Sequence, residues 1–357
     1  MSTVYERLRE RLDDLSTGYP ATQSGVEIKI LKRLFTEEEA EFFIKLSPLP
    51  ETPGQVAERL GCDPEETAAL MERMALKGFL FRLRKRDTVR YGAVPFLIGI
   101  LEHQLNRLDP EMARDMEEYF EGGFGKTIQS FGTPLMRAIP INRQVAVNWP
   151  IAPYEDAIEI IESQKIIALA PCICRTWMKA SNKGCDKPIE TCFIFGHYGH
   201  YYVENKMGRY ISKEEAREVL KRNEEAGLVM QPFNSQKVGG MCSCCGDCCG
   251  MLKSLKKQPS PARAVQSNYF AEVNASECTG CETCLSRCQM DAIQMEDDKA
   301  VINLDRCIGC GLCVTTCPAG ALQLKKKPDA QLYEPPRSGA ETYMRIAMER
   351  GKSLLPD

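Results

Sequence analysis

The first third of the chain shows apolar residues at helical spacing behind three helix-start signals. The signals begin at Thr36, Thr52 and Asp63, and each is followed three residues later by Glu or Gln. A capping residue with Glu or Gln at the third helical position is typical of a helix N-terminus. Only Gly61 and Cys62 separate the second predicted helix from the third, as in a helix-turn-helix.

Two alternating segments follow, residues 79–84 and 88–94, on either side of a basic tip at 85–87. Period-two alternation around a short polar tip predicts a β-hairpin. Helices followed by a hairpin in this order resemble a winged helix-turn-helix domain over roughly residues 25–95. We interpret Cys62, which is remote from the other cysteines in sequence, as a small buried apolar residue and not as a ligand.

The predicted recognition helix is unsuited to DNA. Its exposed start reads Pro64-Glu65-Glu66-Thr67-Ala68, where base-reading domains usually carry Arg, Lys, Asn or Gln. Two carboxylates repel phosphate, and the basic side chains of the hairpin offset this only in part. These side chains are Arg82, Arg84, Lys85, Arg86 and Arg90. We therefore expect this domain to dock or pack against protein, and DNA is not an expected partner.

Composition places the chain among ordinary globular proteins. It has 357 residues, 43% hydrophobic and 27% charged, with a net charge of −3. This charge gives no general reason to expect nucleic acid or an anionic membrane as partner. The longest apolar run, 94–101, is far shorter than a bilayer span, and the N-terminus has no apolar signal core. We expect a cytoplasmic protein, in which thiols stay reduced and clustered cysteines indicate metal.

Eight of the 18 cysteines form two copies of one spacing, C-x-x-C-x-x-C-x-x-x-C. Thiolate ligands at this spacing suit [4Fe–4S] clusters, whereas structural zinc sites use two short pairs separated by a longer loop. The sequence therefore predicts two clusters at the C-terminal end. The two runs are Cys278, Cys281, Cys284, Cys288 and Cys307, Cys310, Cys313, Cys317.

This duplicated segment resembles the two-cluster bacterial ferredoxin domain over roughly residues 274–324. The resemblance implies that the fourth cysteine of each run serves the cluster of the other run. It departs from the ferredoxin pattern at one position, because Pro318 follows the second run but Gln289 follows the first. Loss of proline there frees a backbone N–H that can bond a cluster sulfur. The implied ligand sets are Cys278, Cys281, Cys284, Cys317 for cluster one and Cys307, Cys310, Cys313, Cys288 for cluster two.

Nine further cysteines lie in the middle of the chain. The first group follows an apolar strand at 166–170, and the second places five thiols within 242–249. Such crowded thiols oxidise unless a metal holds them. Four nearby cations can balance thiolate charge: Arg175, Lys179, Lys183 and Lys187. The nine cysteines are Cys172, Cys174, Cys185, Cys192, Cys242, Cys244, Cys245, Cys248 and Cys249.

The pairing of these nine ligands is open at this level. They suffice for two four-cysteine sites with one thiol left over, or for one site with additional redox-active thiols. We expect one or two further iron–sulfur clusters, with zinc as the alternative. His197 and His200 could each replace a cysteine, but beside three tyrosines we interpret them as exposed or core residues.

The order of parts resembles a poorly characterised family of iron–sulfur proteins from anaerobic bacteria and archaea. The matching stretches are 171–175, 184–196, 241–250 and 267–319. The resulting expectation is an α+β multidomain protein. Its parts are a winged-helix-like domain at 1–101, a helical linker and cysteine-rich domain at 102–265, a two-[4Fe–4S] ferredoxin domain at 266–328 and a tail at 329–357. A linking region is predicted at residues 102–148, and two shorter linkers are predicted at 253–264 and 325–336. A short helix is predicted at 342–350.

The resemblance implies low-potential electron transfer beside a larger oxidoreductase. We therefore expect a non-catalytic electron-transfer subunit whose partner is an oxidoreductase or a ferredoxin-type protein. The alternative from a different class is a redox-responsive winged-helix transcriptional regulator, which the acidic recognition helix disfavours. Catalysis at the middle cysteines is a third hypothesis, without a recognisable general base or nucleophile pair.

Overall fold

The computed structural model describes residues 2–128, 130–141 and 152–356, and it mixes helices with small antiparallel sheets. Part of the predicted linking region at 102–148 lies outside the described residues. No helix in the described ranges is long and apolar enough to cross a membrane.

The N-terminal part begins with helices and ends with a hairpin. Thr36 and Thr52 each form a complete capping box, and the carboxylate of Asp63 accepts from two backbone N–H groups, so all three predicted helix starts are confirmed. Cys62 is exposed, which makes the expectation of a buried residue wrong. Whether these elements form a winged-helix domain stays a prediction. The elements are α1 Val4–Asp14, α2 Val26–Leu34, α3 Glu37–Ile44, α4 Pro53–Leu60, α5 Pro64–Leu76, β1 Leu80–Lys85 and β2 Thr88–Ala93.

The described part of the predicted linking region is built into the core. Helix α6, Pro110–Tyr119, is followed by a distorted turn in which Gly123 has a φ of 153°, and then by the short helix α7, Gly125–Thr127. Tyr119 and Phe124 are both fully buried. The aromatic ring centroids of Tyr19 and Tyr119 lie 4.8 Å apart, so residues 110–128 pack on the N-terminal helices.

The middle part is a five-stranded antiparallel sheet with helices around it. Its strands are β3 Ile167–Pro171, β4 Glu190–Phe195, β5 Arg209–Tyr210, β6 Val229–Pro232 and β7 Gly240–Cys244, in the order β5-β3-β4-β7-β6. Its helices are α8 Ala157–Ser163, α9 Ile173–Ala180, α10 Gly196–Glu204, α11 Lys213–Glu225, α12 Gly250–Lys256 and α13 Pro261–Ala264. Because β3, β4 and β7 are neighbours, cysteines distant in sequence meet at one region of the sheet.

The C-terminal part repeats a small unit of strands and one short helix. Strand β8 pairs with β11, and β9 pairs with β10, all antiparallel. The chain then returns across the molecule and ends in helix α16, Gly339–Glu349, close to the predicted 342–350. The elements are β8 Tyr269–Val273, α14 Thr283–Arg287, β9 Ile293–Glu296, β10 Lys299–Ile302, α15 Leu312–Thr315 and β11 Leu322–Lys326.

The two predicted linkers are fixed in place. Residues 253–264 contain most of α12 and all of α13, so the prediction of a linker there is wrong. The guanidinium of Arg306 donates to the carbonyls of Lys256 and Gln258 and holds this segment against the C-terminal part. Residues 325–336 contain the end of a strand and a 3-10 turn at Asp329–Gln331, and the carbonyl of Pro336 accepts from the N–H of Gln236 at 2.8 Å.

A single cluster of buried apolar residues extends from Leu8 to Ile346 and includes both the N-terminal and the middle parts. At the contact between β1 and α10, the side chain of Arg82 is 2% exposed and donates to the carboxylate of Glu204 and the amide oxygen of Asn205. The Tyr201 hydroxyl donates to the carbonyl of Ala75. These two parts therefore share one core, and the boundary predicted at residue 101 stays a prediction.

Candidate metal centres

The eight cysteines of the C-terminal part line two separate cavities. Each cavity combines three cysteines of one run with the fourth cysteine of the other run, the same division that the ferredoxin resemblance implies. The first cavity is lined by Cys278, Cys281, Cys284 and Cys317, and the second by Cys288, Cys307, Cys310 and Cys313. A thiolate-bound cluster fits both cavities, while ligation itself stays a prediction.

Backbone N–H groups point at several of these sulfurs. Ala292 N–H donates to Cys288 Sγ at 3.2 Å, and Ala271 N–H donates to Cys307 Sγ at 3.4 Å. Gly309, with a φ of 64°, lies so close to the chain that a Cβ there would be 2.2 Å from the Tyr269 carbonyl oxygen. Hydrogen bonds of this kind stabilise thiolate and raise cluster potentials.

The two cavities differ in their surroundings. Cys281 is exposed, and hydrogen bonds from Thr283 lower the pKa of its thiol. Burial raises the pKa of the Cys310 thiol to about 12, and it also raises that of Cys313. The first cavity is therefore the one nearer the solvent, and the second faces the middle part of the protein.

The nine middle cysteines divide into six and three, a division that the sequence left open. Six thiols form a closed ring in which each lies near enough to two others to shift their pKa values. We call it the six-thiol ring, and its order is Cys172, Cys192, Cys242, Cys244, Cys249, Cys174 and back to Cys172. The sheet builds it, because Cys192 lies on β4, Cys242 and Cys244 lie on β7, and Cys172 follows β3.

Without a cation this ring cannot carry six thiolates. Hydrogen bonds from neighbouring thiols lower the pKa of the Cys172 thiol and that of the Cys249 thiol well below the usual range of cysteine. The same contacts and burial raise the pKa of Cys174 and Cys192. Six converging sulfurs that cannot all ionise alone are a donor set for a metal centre.

The remaining three thiols, Cys185, Cys245 and Cys248, form a separate site that we call the three-thiol group. Their sulfurs all lie within 4.8 Å of one another. Cys185 Sγ is 3.8 Å from Cys245 Sγ and 3.6 Å from Cys248 Sγ. Cys185 comes from the loop between α9 and β4, and its partners come from the loop after β7.

Arg175 lies between the two sets of thiols. It is 1% exposed, and its guanidinium donates to Cys245 Sγ at 3.7 Å and to the Ser243 carbonyl at 3.0 Å. Burial opposes its charge, but the facing sulfurs of Cys172 and Cys245 outweigh burial and raise the pKa of Arg175. The cation predicted to balance thiolate charge therefore serves both sites.

The other predicted cations and histidines have different positions. Lys187 lies beside the three-thiol group and pairs with Asp247 at 2.5 Å, whereas Lys183 pairs with Glu117. The alkyl chain of Lys179 lies against Gly184. His197 is exposed, and His200 Nδ1 contacts the Tyr210 hydroxyl at 2.7 Å; that neither histidine is a ligand stays a prediction.

Gln289 connects the ferredoxin-like cavities to the cysteine-rich loop. Its side-chain oxygen accepts a hydrogen bond from the Gly246 N–H at 2.7 Å. In the sequence Gln289 stands out only as the residue that replaces a proline, and no local signal reveals its side-chain contact. Around it, Met290 and Leu312 pack in one buried cluster with Cys244 and Cys249 of the six-thiol ring, and three cysteines of the second cavity pack against that cluster.

Comparison with known proteins identifies the C-terminal part. The family model described as a 4Fe-4S dicluster domain matches residues 271–324. Searches of curated proteins and of solved structures found no significant match. The chain therefore contains a ferredoxin-type iron–sulfur domain together with a cysteine-rich middle region, and this domain suggests electron transfer.

Proposed function

We propose that the chain is a cytoplasmic electron-transfer component that relays low-potential electrons between a partner protein and a centre held by the six-thiol ring. The partner is an oxidoreductase or a ferredoxin-type protein. Cluster one would be held by Cys278, Cys281, Cys284 and Cys317, and cluster two by Cys307, Cys310, Cys313 and Cys288. The ring would hold a further iron–sulfur centre.

One observation carries this proposal: the second cavity and the six-thiol ring share a buried apolar cluster. Cys288 of the cavity and Cys244 of the ring both contact it, and the Gln289–Gly246 hydrogen bond fixes the two parts relative to each other. The first cavity, with Cys281 exposed, would face the partner. The chain thus offers an order of centres from the surface inward.

The N-terminal domain, which we propose to be of the winged-helix class, would dock or pack against protein. Arg82 and Arg84 of the hairpin both contact the carboxylates of Glu72 and Glu204. Since these contacts neutralise two of the cations available for phosphate, the transcriptional regulator has less support.

Anaerobically purified protein tests the relay through its iron content and its EPR spectrum after dithionite reduction. Two [4Fe–4S] clusters account for about eight irons, and we expect more than this. Cys244→Ser should remove the additional iron and leave the ferredoxin-type EPR signals unchanged. About eight irons in the unaltered protein would contradict a centre in the ring.

Rapid-freeze EPR then tests the order of transfer. Gln289→Ala removes the hydrogen bond to Gly246, and reduction of the middle centre should become slower while reduction of the ferredoxin-type clusters keeps its rate. Gln294→Ala, at an exposed position on β9, is the matched control. Equal rates for the middle centre in both variants would show that electrons do not pass this contact.

A further inference from the structure

The three-thiol group has the dimensions of a mononuclear metal site. A tetrahedral zinc ion with Zn–S bonds of about 2.3 Å separates its sulfurs by about 3.8 Å. The measured Sγ–Sγ distances from Cys185 are 3.8 Å to Cys245 and 3.6 Å to Cys248. Three sulfurs at these separations can bind one ion with little movement.

The cluster-type sites of the same protein look different. Each C-terminal cavity is lined by four cysteines, and no three of their sulfurs all lie within 4.8 Å of one another. Among the described residues, Cys185, Cys245 and Cys248 form the only set of three or more potential ligand atoms that all lie within 4.8 Å of one another. The three-thiol group therefore differs from a cubane site in its spacing.

Arg175 supplies a reason for negative charge at this place. A buried guanidinium requires an anion, and Cys245 Sγ is 3.7 Å from its Nη1. Among the described residues Arg175 has no carboxylate partner, and its Nε has no hydrogen-bond partner. Three thiolates around a divalent ion carry a net charge of −1, which Arg175 balances.

The ligand count leaves one position open. The described residues contribute three ligand atoms, and no His, Asp or Glu joins them. Residues 142–151 contain none of these residue types and no cysteine. Cys185 is partly exposed, so its side of the site can be reached from solvent. Three protein ligands with an open fourth position characterise zinc sites that bind an exogenous ligand.

We propose that Cys185, Cys245 and Cys248 bind one zinc ion whose fourth coordination position takes a water molecule or a soft ligand such as a thiolate from outside the chain. Zinc is preferred over mononuclear iron because divalent zinc binds thiolate sites more tightly than ferrous iron. The site does not depend on the proposed electron relay, because its sulfurs are separate from the six-thiol ring.

Metal analysis of the full chain tests the proposal. Protein purified anaerobically and washed with EDTA should contain one zinc per chain. Cys185→Ser should lose it while iron content and ferredoxin-type EPR signals stay unchanged. Cys185 is the preferred position because it lies in a loop and is partly exposed, and Cys248→Ser is the second variant. Cys62→Ser, at an exposed cysteine remote from the site in sequence, should keep the zinc.

Three further outcomes would overturn the proposal. If Cys185→Ser lowers iron instead of zinc, or leaves zinc unchanged, the three-thiol group is not a zinc site. In protein prepared without added thiol, X-ray absorption at the zinc edge should show three sulfurs at about 2.3 Å and one lighter atom. Four sulfur neighbours would overturn the open position. Loss of the relay in other variants, with zinc retained, leaves this proposal intact.

Discussion

At the residue scale, buried charge is arranged around sulfur. Arg175 is enclosed, and its charge is balanced by thiols and not by a carboxylate. Arginine suits this position because its planar fork can donate to Cys245, Ser243 and Thr191 at once, which the ammonium group of lysine cannot do with the same geometry. Replacing Arg175 by lysine would therefore keep the positive charge but lose this set of three contacts.

Glu102 is a second ionisable residue in a buried position near the six-thiol ring, and no cationic side chain among the described residues pairs with it. Its carboxylate accepts from the Gly99 N–H at 2.8 Å, and it lies deep in the protein although part of the side chain remains accessible. Burial outweighs the backbone hydrogen bonds and raises the pKa of Glu102 to about 7.

The raised pKa of Glu102 predicts that the protein loses stability as the pH rises. When the pKa of a carboxyl is higher in the folded state than in the unfolded state, the folded state loses stability as the carboxyl is forced to ionise. For Glu102 the free energy of unfolding is unaffected below its unfolded pKa, near 4.5, and falls progressively as the pH rises to about 7. Glu102→Gln removes this penalty while keeping an acceptor for Gly99. We expect the variant to be more stable at pH 8 by about 2–3 kcal/mol, with an advantage about 1 kcal/mol smaller at pH 6.

Anaerobic urea unfolding at both pH values measures this difference. Glu118→Gln, at an exposed position on α6, is the control and should change the free energy of unfolding little at either pH. A Glu102→Gln advantage that is the same at pH 6 and pH 8 would contradict a raised pKa.

At the element scale, local signals made the helix starts predictable. Long-range contacts between elements leave no such local signal and could not be predicted. Thr36 and Thr52 were predictable as caps because a capping box is complete within four residues. The linker prediction at 253–264 is wrong because it was based on lysine and proline content. That content does not reveal that Leu255 is buried in an apolar cluster. The return of α16 to the N-terminal helices has no local signal at all.

Arg350 fastens this last helix to the N-terminal part. Its guanidinium donates to the Asp13 carboxylate at 2.8 Å and to the Ser16 carbonyl at 3.1 Å. Arg350→Ala leaves the partly buried Asp13 with fewer partners, and we expect a loss of about 2 kcal/mol in the free energy of unfolding. Limited proteolysis should also cut faster within residues 338–356.

Arg345→Ala is the control on the same helix, since exposed Arg345 pairs only locally with Glu341. Its effect should stay near 0.3–0.5 kcal/mol, roughly the size of an exposed helical ion pair. Similar losses in both variants would mean that α16 is not held through Arg350.

At the scale of the whole molecule, the two kinds of metal site differ in how far sequence could define them. Each cysteine run of the ferredoxin-type domain carries three neighbouring ligands within seven residues, so spacing alone indicates the site. The six-thiol ring joins residues from Cys172 to Cys249, and only the order β3-β4-β7 brings them together. Spacing could therefore identify the nine thiols but not their division into six and three.

The shared core also limits how the chain can be divided into fragments. A fragment that ends at the predicted boundary, residue 101, lacks Tyr119 and Phe124, which pack on Tyr19 and Phe96. It also removes the contact of Lys29 with Asp115 on α6, at 2.8 Å. A fragment of residues 1–128 keeps all of these contacts, whereas a fragment of residues 1–101 loses them.

We expect fragment 1–101 to be less stable than fragment 1–128 by roughly 4 kcal/mol or more, because burial of one large side chain contributes about 1.5–3 kcal/mol and at least two are lost. Since small domains have only about 5–15 kcal/mol in total, the shorter fragment should lack a cooperative thermal transition. Circular dichroism in the near and far ultraviolet measures both fragments. Equal midpoints would mean that residues 102–128 act as a linker, as the sequence predicted, and that the aromatic contacts of Tyr19 and Phe96 add little to the N-terminal core.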